Sequence, residues 1–548
     1  MAQKLRVVPL GGLGEIGKNM MALELEDDLL IIDAGVMFPE EEMLGIDLVI
    51  PDVSYVERRR HKLRGIIITH GHEDHTGALP YVLPRIPAPI YCTRLSRGLI
   101  AVKLREHGLL EQADLRVVNY GERIRLGAFT VEFVRVTHSI PDSAALAIET
   151  PLGLVFHTGD FKLDHTPVMG LPTDLQRIAQ LGRQGVLLML SDSTYADVPG
   201  YTPSERIVGE TLWKIMATSP GRVIVATFAS LISRVQQVVD AATACGRRVF
   251  VTGRSMLENV AMALEQGYLE TDQDLLAPME RMRGLKPHQV VIVTTGAQGE
   301  PTSALVRMAN RDHRFVEIQP GDTVILSSSP IPGNEVLVNR TISNLYRLGA
   351  RVVHSRMADV HVRGHAAQEE LKLMLGLVRP QFFVPIHGEY RHLAQHAELA
   401  RLMGVKAENV FILEDGDILE IDGSGGRVVG RAPADLVYVD GLAVGVGHVV
   451  LRDRRHLASD GILVALVTVD KHTGRLLGPP DLVSRGFVED LSGPLLEKAR
   501  RVVMEAVASR EGAIDRAELA SRLHDALLAF LYNETRRRPM ILPLTVEV

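Results

Sequence analysis

The stretch Ile68-Thr69-His70-Gly71-His72-Glu73-Asp74-His75-Thr76-Gly77-Ala78-Leu79-Pro80 places three histidines and two acids within six positions, directly after the apolar run Gly65-Ile66-Ile67. The run Gly65–Thr69 reads as a buried strand, and the titratable groups lie just past its end. In extended chain His70 and His72 point to one side, while Asp74 and His75 fall on the turn beyond. Any one of these histidines alone reads best as a satisfied surface or core residue. Four ligand-type side chains in six positions resist that reading, because their mutual repulsion and desolvation need compensation. Neutral imidazoles and carboxylates are what hard-to-borderline divalent metals take. The stretch is therefore read as a metal-binding turn.

Ligands for one ion must converge from several chain segments, and other strand ends offer candidates. His138 follows a strand in VRVTHSIPDS, Asp160 closes one in VFHTGDFKLD, and His387 closes one in FFVPIHGEYRHL. Singly each is weak in a chain with 20 histidines; their shared placement is the informative feature. A competing pattern, Gly12-Leu13-Gly14-Glu15-Ile16-Gly17 with Asp33 downstream, fits a dinucleotide-binding turn. It is rejected, because Met20–Asp33 reads as two strands and the histidine cluster would stay unexplained.

With 548 residues, the chain is too long for one core. A charged content of 23% and a net charge of -7 describe a folded protein without a uniformly basic surface, which leaves room for a local basic groove. The clusters Arg58-Arg59-Arg60-His61-Lys62, Arg452-Asp453-Arg454-Arg455-His456 and Arg536-Arg537-Arg538 read as solvated faces. Cys92 and Cys245 cannot build a disulfide framework or a cysteine zinc site, which fits a reducing compartment. The N-terminal residues lack a signal-peptide apolar region, and no apolar run is long enough to cross a bilayer. The expectation is a cytoplasmic protein with no membrane partner.

The texture of the chain changes twice. Up to about residue 202, strands such as Arg6–Leu10, Met20–Glu26, Leu29–Asp33, Phe129–Val136, Ala145–Glu149 and Gly153–His157 suggest stacked sheets with helices outside. From Pro203, strands Arg222–Ala226, Arg248–Thr252, Val290–Thr294 and Thr323–Ser327 alternate with helical stretches at Leu231–Ala244, Leu257–Gln266 and Asn334–Leu348, a parallel α/β pattern. The first texture returns at Gln381–Ile386 and Val410–Leu413. These readings give a host domain over 1–202 and 355–440, an insert over 203–354, a linker over 441–460 and a small terminal domain over 461–548. In the last, strands Ile462–Val469 and Pro539–Val548 flank two helices. A capping box Asp515-Arg516-Ala517-Glu518 opens the second helix, whose apolar face is Leu519, Leu523 and Leu527.

His70, His72, Asp74 and His75 match the HxHxDH signature of the metallo-β-lactamase superfamily, which this chain resembles. The resemblance implies that His70, His72 and His138 hold one metal, that Asp74, His75 and His387 hold a second, and that Asp160 bridges them. Asp33 in IIDAG matches the supporting aspartate. Two zinc ions are implied, with manganese suited to the same donors. The motifs LSDSTYAD, TFASLISRVQQ, TTGAQGEP, SSSPIPGNE and HVRGHAAQEEL resemble the β-CASP nucleases, and the chain resembles the ribonuclease J family over nearly its whole length. The fold implied is α/β: a metallo-β-lactamase αββα sandwich with an inserted β-CASP α/β domain and a small α+β C-terminal domain.

That resemblance implies a metal-dependent ribonuclease acting on single-stranded RNA. It would be a 5′-to-3′ exonuclease preferring 5′-monophosphate ends, with endonuclease activity, in RNA maturation and mRNA decay. Two metals suit phosphodiester hydrolysis, since they stabilise both the attacking and the leaving oxygen. Asp192 and His365 are assigned proton transfer and phosphate stabilisation. Ser230, Leu231, Ile232, Ser233, Arg234, His361, Val362, Arg363, Gly364 and His365 are the implied RNA contacts, Arg363 standing where the family commonly has serine. Asp47 and Asp440 match positions of a structural calcium, although VYVDGLAVGVGHV lacks an acid often seen there. Homodimerisation through the C-terminal domain and membership of an RNA-decay complex are implied as well. Two other readings are a thioesterase-like metallohydrolase, against which the insert argues, and a catalytically silent RNA-binding subunit. The second predicts broken ligands, whereas all seven candidate metal positions carry competent side chains.

Overall fold

The computed structural model describes residues 3–40, 42–331, 333–473, 475–487, 493–508 and 516–548. The chain forms two compact units, one of Met1–Phe38 with Leu48–Val437, the other of Pro39–Asp47 with Tyr438–Val548.

Two sheets face one another in the first unit. The larger runs in the order Gly425–Arg431, Asp417–Asp422, Leu5–Gly11, Met20–Leu25, Asp28–Ile32, Leu63–Ile67, Ile90–Cys92, Leu115–Val117. The second runs Phe382–Ile386, Val186–Asp192, Gly153–His157, Ser143–Thr150, Phe129–Val136, Arg123–Leu126. Alternation along the strands decides what each face buries. Val131 and Phe133 join Leu23, Leu30, Ile32 and Ile67 in the core between the sheets. Val134 and Val136 point the other way, onto helices Leu175–Gln184 and Gln368–Val378 through Ile178, Leu181, Leu371 and Leu375.

The inserted layer is a five-stranded sheet ordered Arg248–Thr252, Val290–Thr294, Val223–Ala226, Thr323–Leu326, Arg351–His354, every pair parallel. Its strands are covered on both faces, by one core holding Val223, Val225 and Val291 and another holding Ile224, Ile292 and Val324. That explains unbroken apolar strands such as Val290–Thr294. The returning segment differs from expectation: Phe382–Ile386 is a strand, but Val410 makes only an isolated bridge to Phe383.

In the second unit, Ile462–Val469 pairs antiparallel with Asp481–Arg485 and parallel with Met540–Glu547. Helices Pro494–Ala508 and Arg516–Thr535 pack on it through Val503, Leu519, Leu523 and Leu527. Asp515 of the expected capping box lies outside the described residues. The stretch read as a linker carries the helix His448–Asp460, in which only Leu451 is buried. A helix with so narrow an apolar stripe leaves little periodic signal.

Candidate metal centre

Parallel pairing brings one end of several strands to a common edge. Asp28–Ile32 and Leu63–Ile67 run parallel, so Asp33 and the His70 turn leave the first sheet side by side. Gly153–His157, Val186–Asp192 and Phe382–Ile386 are likewise parallel, so Asp160, Asp192 and His387 leave the second together. Carboxyl ends of parallel strands are the usual place for a site in such sheets. The backbone there is strained: Asp33 and His387 both adopt left-handed φ, at 61° and 56°. Gly35 is needed for contact, since a Cβ on it would lie 1.6 Å from the Asp74 carbonyl oxygen.

The side chains converge as two sets. His70 Nε2 lies 3.0 Å from His72 Nδ1, and His138 Nε2 lies 3.2 Å from the same atom. In the second set, His75 Nε2 is 3.2 Å and His387 Nε2 is 3.5 Å from Asp160 Oδ2. Asp74 Oδ2 is 3.6 Å from His75 Nε2 and 3.3 Å from His387 Nε2. Metal–ligand bonds of about 2.0–2.1 Å at tetrahedral angles separate neighbouring donors by roughly 3.3 Å, so both sets have the dimensions of a cation site. Asp160 Oδ2 also faces the first set, 3.7 Å from His70 Nε2 and 3.9 Å from His138 Nε2. It is buried and accepts no hydrogen bond. A buried carboxylate oxygen left in that state is costly unless a cation meets it. The residues present therefore fit a pair of divalent ions.

Hydrogen bonds behind the rings select the tautomers. His75 Nδ1 donates to Asp33 Oδ2 over 2.8 Å, and His138 Nδ1 to the Gly364 carbonyl over 2.8 Å. The Thr69 hydroxyl donates to Asp33 Oδ2 over 2.8 Å, so it accepts from His70 Nδ1 at 3.1 Å. The Thr194 hydroxyl donates to Asp192 Oδ1 over 2.8 Å and accepts from His387 Nδ1 at 2.7 Å. In all four rings the proton of the neutral form is thereby directed to Nδ1, so that Nε2 is the nitrogen that ligates. Burial, helped by neighbouring imidazoles, pushes His70 and His138 well below the ordinary histidine value, which keeps them neutral. Burial acts the same way on His387, but the Asp160, Asp74 and Asp192 carboxylates outweigh it and hold this ring up to about 9.

Asp192 and His365 sit on the flank of these sets. His365 Nδ1 donates to Asp192 Oδ2 over 2.8 Å and lies 3.9 Å from Asp160 Oδ2. Burial lowers the affinity of His365 for its proton, yet the Asp192 charge more than restores it, so the ring is held above its ordinary value. A cavity of about 750 Å³ opens beside His138 and Ser139 and extends between the second sheet's loops and the insert, where Ser233, Gln236 and Tyr268 line it.

The expected RNA contacts do not gather as one surface. Leu231, Ile232 and Val362 are core residues of the insert, and the backbone N–H groups of Leu231 and Ile232 donate to Phe228 and Ser230 carbonyls. Arg234 is fully buried and spends its guanidinium on Glu205, Gln237, Ser327 and the Val360 carbonyl. These four side chains are turned inward. Ser233 is nearly buried, its hydroxyl donating to the Ser139 carbonyl. Ser230, His361 and Gly364 are half-buried, and Arg363 is exposed, with its guanidinium 4.9 Å from the Tyr195 ring centroid.

Asp47 and Asp440 both have partners within the second unit. Asp440 Oδ2 is ion-paired to Arg454, whose Nη1 donates to the Leu44 and Gly45 carbonyls over 3.1 and 2.9 Å. Asp47 Oδ2 accepts from the Gly441 N–H over 2.7 Å. Carboxylate and backbone carbonyls are the ligands a calcium ion takes, and here a guanidinium takes them. Sequence reading set Arg454 aside as one of a solvated basic cluster and missed this role. It also missed Thr194 and Asn19, whose amide donates to the Asp74 carbonyl over 3.0 Å. Both are short polar residues with no spacing signal of their own.

Comparison with known proteins matches four stretches of the chain. Residues 13–185 match the metallo-beta-lactamase superfamily, 220–345 the ribonuclease J beta-CASP domain, 351–413 the Zn-dependent metallo-hydrolase RNA specificity domain and 449–548 the ribonuclease J C-terminal domain. Ribonuclease J 1 of Streptococcus pyogenes is 44% identical, covering 98% of this chain and 97% of its own. Ribonuclease J2 of Bacillus subtilis is 41% identical over 100% of this chain and 99% of its own, and ribonuclease J of Thermus thermophilus 45% over 99% and 95%. A solved Enterococcus faecalis protein of unknown function shares the fold at a TM-score of 0.56 and 17% identity, covering 76% of this chain and 99% of that one. With relatives of this identity matching from end to end, the chain belongs to the ribonuclease J family.

Proposed function

We propose that the protein is a two-metal phosphodiester hydrolase that degrades single-stranded RNA from 5′ to 3′, prefers 5′-monophosphate ends and also cuts internally. The observation that carries this reading is Asp160 Oδ2, a buried and unpartnered oxygen facing both ligand sets, with Asp192 and His365 beside it. His70, His72 and His138 would hold one ion, Asp74, His75 and His387 the other, and Asp160 both. Zinc suits these imidazole and carboxylate donors, and manganese is the alternative. When bound, the ions supply Lewis acidity to a phosphoryl oxygen and an acidified water for attack on phosphorus.

The chain's own residues do the rest. Asp192 takes the Nδ1 proton of His365 in a hydrogen bond, which orients the ring and leaves Nε2 to deliver a proton to the leaving ribose oxygen. Arg363, exposed against Tyr195, supplies a charge for the RNA backbone, with His361 and Gly364 half-buried in the same loop and Ser230 half-buried in the insert. Among the described residues no helix is long and apolar enough to cross a membrane, which accords with work in RNA maturation and mRNA decay in the cytoplasm. The outer face of the terminal sheet exposes Leu466, Val483, Leu542, Leu544 and Val546. That apolar face supports homodimerisation through this domain, and association with an RNA-decay complex completes the proposal.

The test is digestion of RNA labelled at either end and carrying a 5′ monophosphate, triphosphate or hydroxyl, with zinc or manganese added. The reading expects mononucleotides released from the 5′ end, fastest from the monophosphate. Hydrolysis of thioesters with RNA untouched would instead select the small-molecule reading.

A further inference from the structure

His365 can serve proton transfer only if its loop is held in place. The loop from Val360 to His365 crosses between the two sheets and the insert, and its carbonyl groups are gripped from several directions. The Val360 carbonyl accepts from Arg234 Nη1 over 2.9 Å and from the Ser327 hydroxyl over 2.6 Å. The Arg363 carbonyl accepts from Lys162 Nζ at 3.4 Å, the Gly364 carbonyl from His138, and the His365 carbonyl from the Thr202 hydroxyl over 2.7 Å. Two of these donors, Lys162 and Arg234, are cations with no exposed surface at all. Buried cations need a counter-charge, and both find the same one. Glu205 lies 3.3 Å from Lys162 Nζ through Oε1 and 2.6 Å from Arg234 Nη2 through Oε2.

We infer that Glu205 is a positioning residue for catalysis, the carboxylate shared by Lys162 and Arg234 that holds them in register and through them sets the loop carrying His365, with Asp164 3.9 Å from Lys162 on the other side. Lys162 follows Asp160 by two residues, and Arg234 lies on the insert helix Ile232–Ala244. Glu205 sits between them, its own N–H donating to Asp164 Oδ2 over 2.9 Å. It thus couples the metal-bearing strand end, the insert and the proton-transfer loop in one network. Burial alone would raise the Glu205 carboxyl, but the Arg234 and Lys162 charges hold it below the ordinary glutamate range. The network touches none of the metal-ligating atoms of His70, His72, Asp74 or His75; it meets the first ligand set through the Gly364 carbonyl behind His138 Nδ1, which is why bound metal is measured beside the rate.

The inference rests on the ribonuclease reading, and its test separates the two. Glu205→Gln keeps the shape and removes the shared charge; Arg234→Lys keeps the charge and removes the fork that holds Val360 and Ser327. Each full-length variant is measured for RNA hydrolysis, bound metal and amide hydrogen exchange over 358–368, alone and combined with His365→Ala. The expected result is a kcat lowered by about tenfold to a hundredfold, with KM and metal content unchanged and exchange accelerated in that segment. In the His365→Ala background the further loss should vanish, because there is no ring left to misplace. A general loss of structure would lower both backgrounds alike. Equal losses with and without His365, or unchanged exchange over 358–368 in both variants, would overturn the inference. A wild-type chain that cleaves no RNA would sink the ribonuclease reading, and the exchange measurement would still decide whether Glu205 holds the loop.

Discussion

Two acidic centres in this protein meet the same physical problem and solve it oppositely. At the strand ends of the first unit, Asp74 and Asp160 stand among histidines, and Asp160 Oδ2 accepts no hydrogen bond. In the second unit, Asp440 and the Leu44 and Gly45 carbonyls face a common point, and Arg454 fills it. Acid positions alone did not separate these cases, since both were expected to hold metal. The difference lies in reach. Among the described residues no lysine or arginine side chain pairs with the carboxylates of the first centre, whereas helix His448–Asp460 delivers Arg454 to the second. A cation must come from solution only where the fold keeps its own cations away.

The contrast predicts its largest effect at Asp160. Asp160→Ala should lose the metals and all detectable RNA hydrolysis, as should His72→Ala. The metal-free protein should nevertheless melt within a few degrees of the wild type, because the substitution removes a buried carboxylate whose Oδ2 accepts no hydrogen bond. Metal analysis with calorimetry checks both halves; near-normal hydrolysis by Asp160→Ala after metal removal and readdition would break the two-metal scheme.

A step smaller is His365→Ala, which removes a ring flanking the first centre without removing a ligand. It should keep both ions and cut roughly 10²–10⁴-fold more slowly. An empty metal site in this variant would move His365 from proton transfer to ligation.

Arg363→Ala should act on selectivity more than on rate. The preference for a 5′ monophosphate over a hydroxyl should shrink by roughly tenfold, about one charged hydrogen bond, while internal cutting changes less. Equal rates on all three 5′ ends in the wild type would remove the case for a phosphate-reading Arg363.

The smallest effect belongs to the second centre. Arg454→Ala should cost about 1 kcal/mol, as a half-exposed ion pair does, and should leave carbonyls and a carboxylate that calcium can take. Added calcium should then raise the melting temperature of the variant and not of the wild type. A wild-type protein stabilised by calcium would show that Arg454 does not stand in for the ion.

The metal turn was legible because its signal is local: ligand types crowd against the end of an apolar run, and strand periodicity says where that run ends. The layered architecture was legible from element order, strands with few long helices between them giving way to strands that alternate with helices in the parallel insert. His448–Asp460 was not, since a helix burying only Leu451 leaves almost no periodic trace. Motif positions say nothing about which way a side chain faces. Leu231, Ile232, Val362 and Arg234 turn inward, three for apolar packing and one to meet Glu205.

By itself, then, the sequence determined which residues are able to bind metal and which segments form strands, because those depend on side-chain chemistry and near-neighbour spacing. Only the tertiary structure decided which of them meet. Parallel pairing sets Asp160, Asp192 and His387 at one edge across separations of many residues, and the hydroxyls of Thr69 and Thr194 select tautomers that no spacing rule encodes. The same folding put Arg454 onto Asp440 and withheld any such partner from Asp160. Electrostatic need is settled over a few ångströms in space, and distance along the chain carries no record of it.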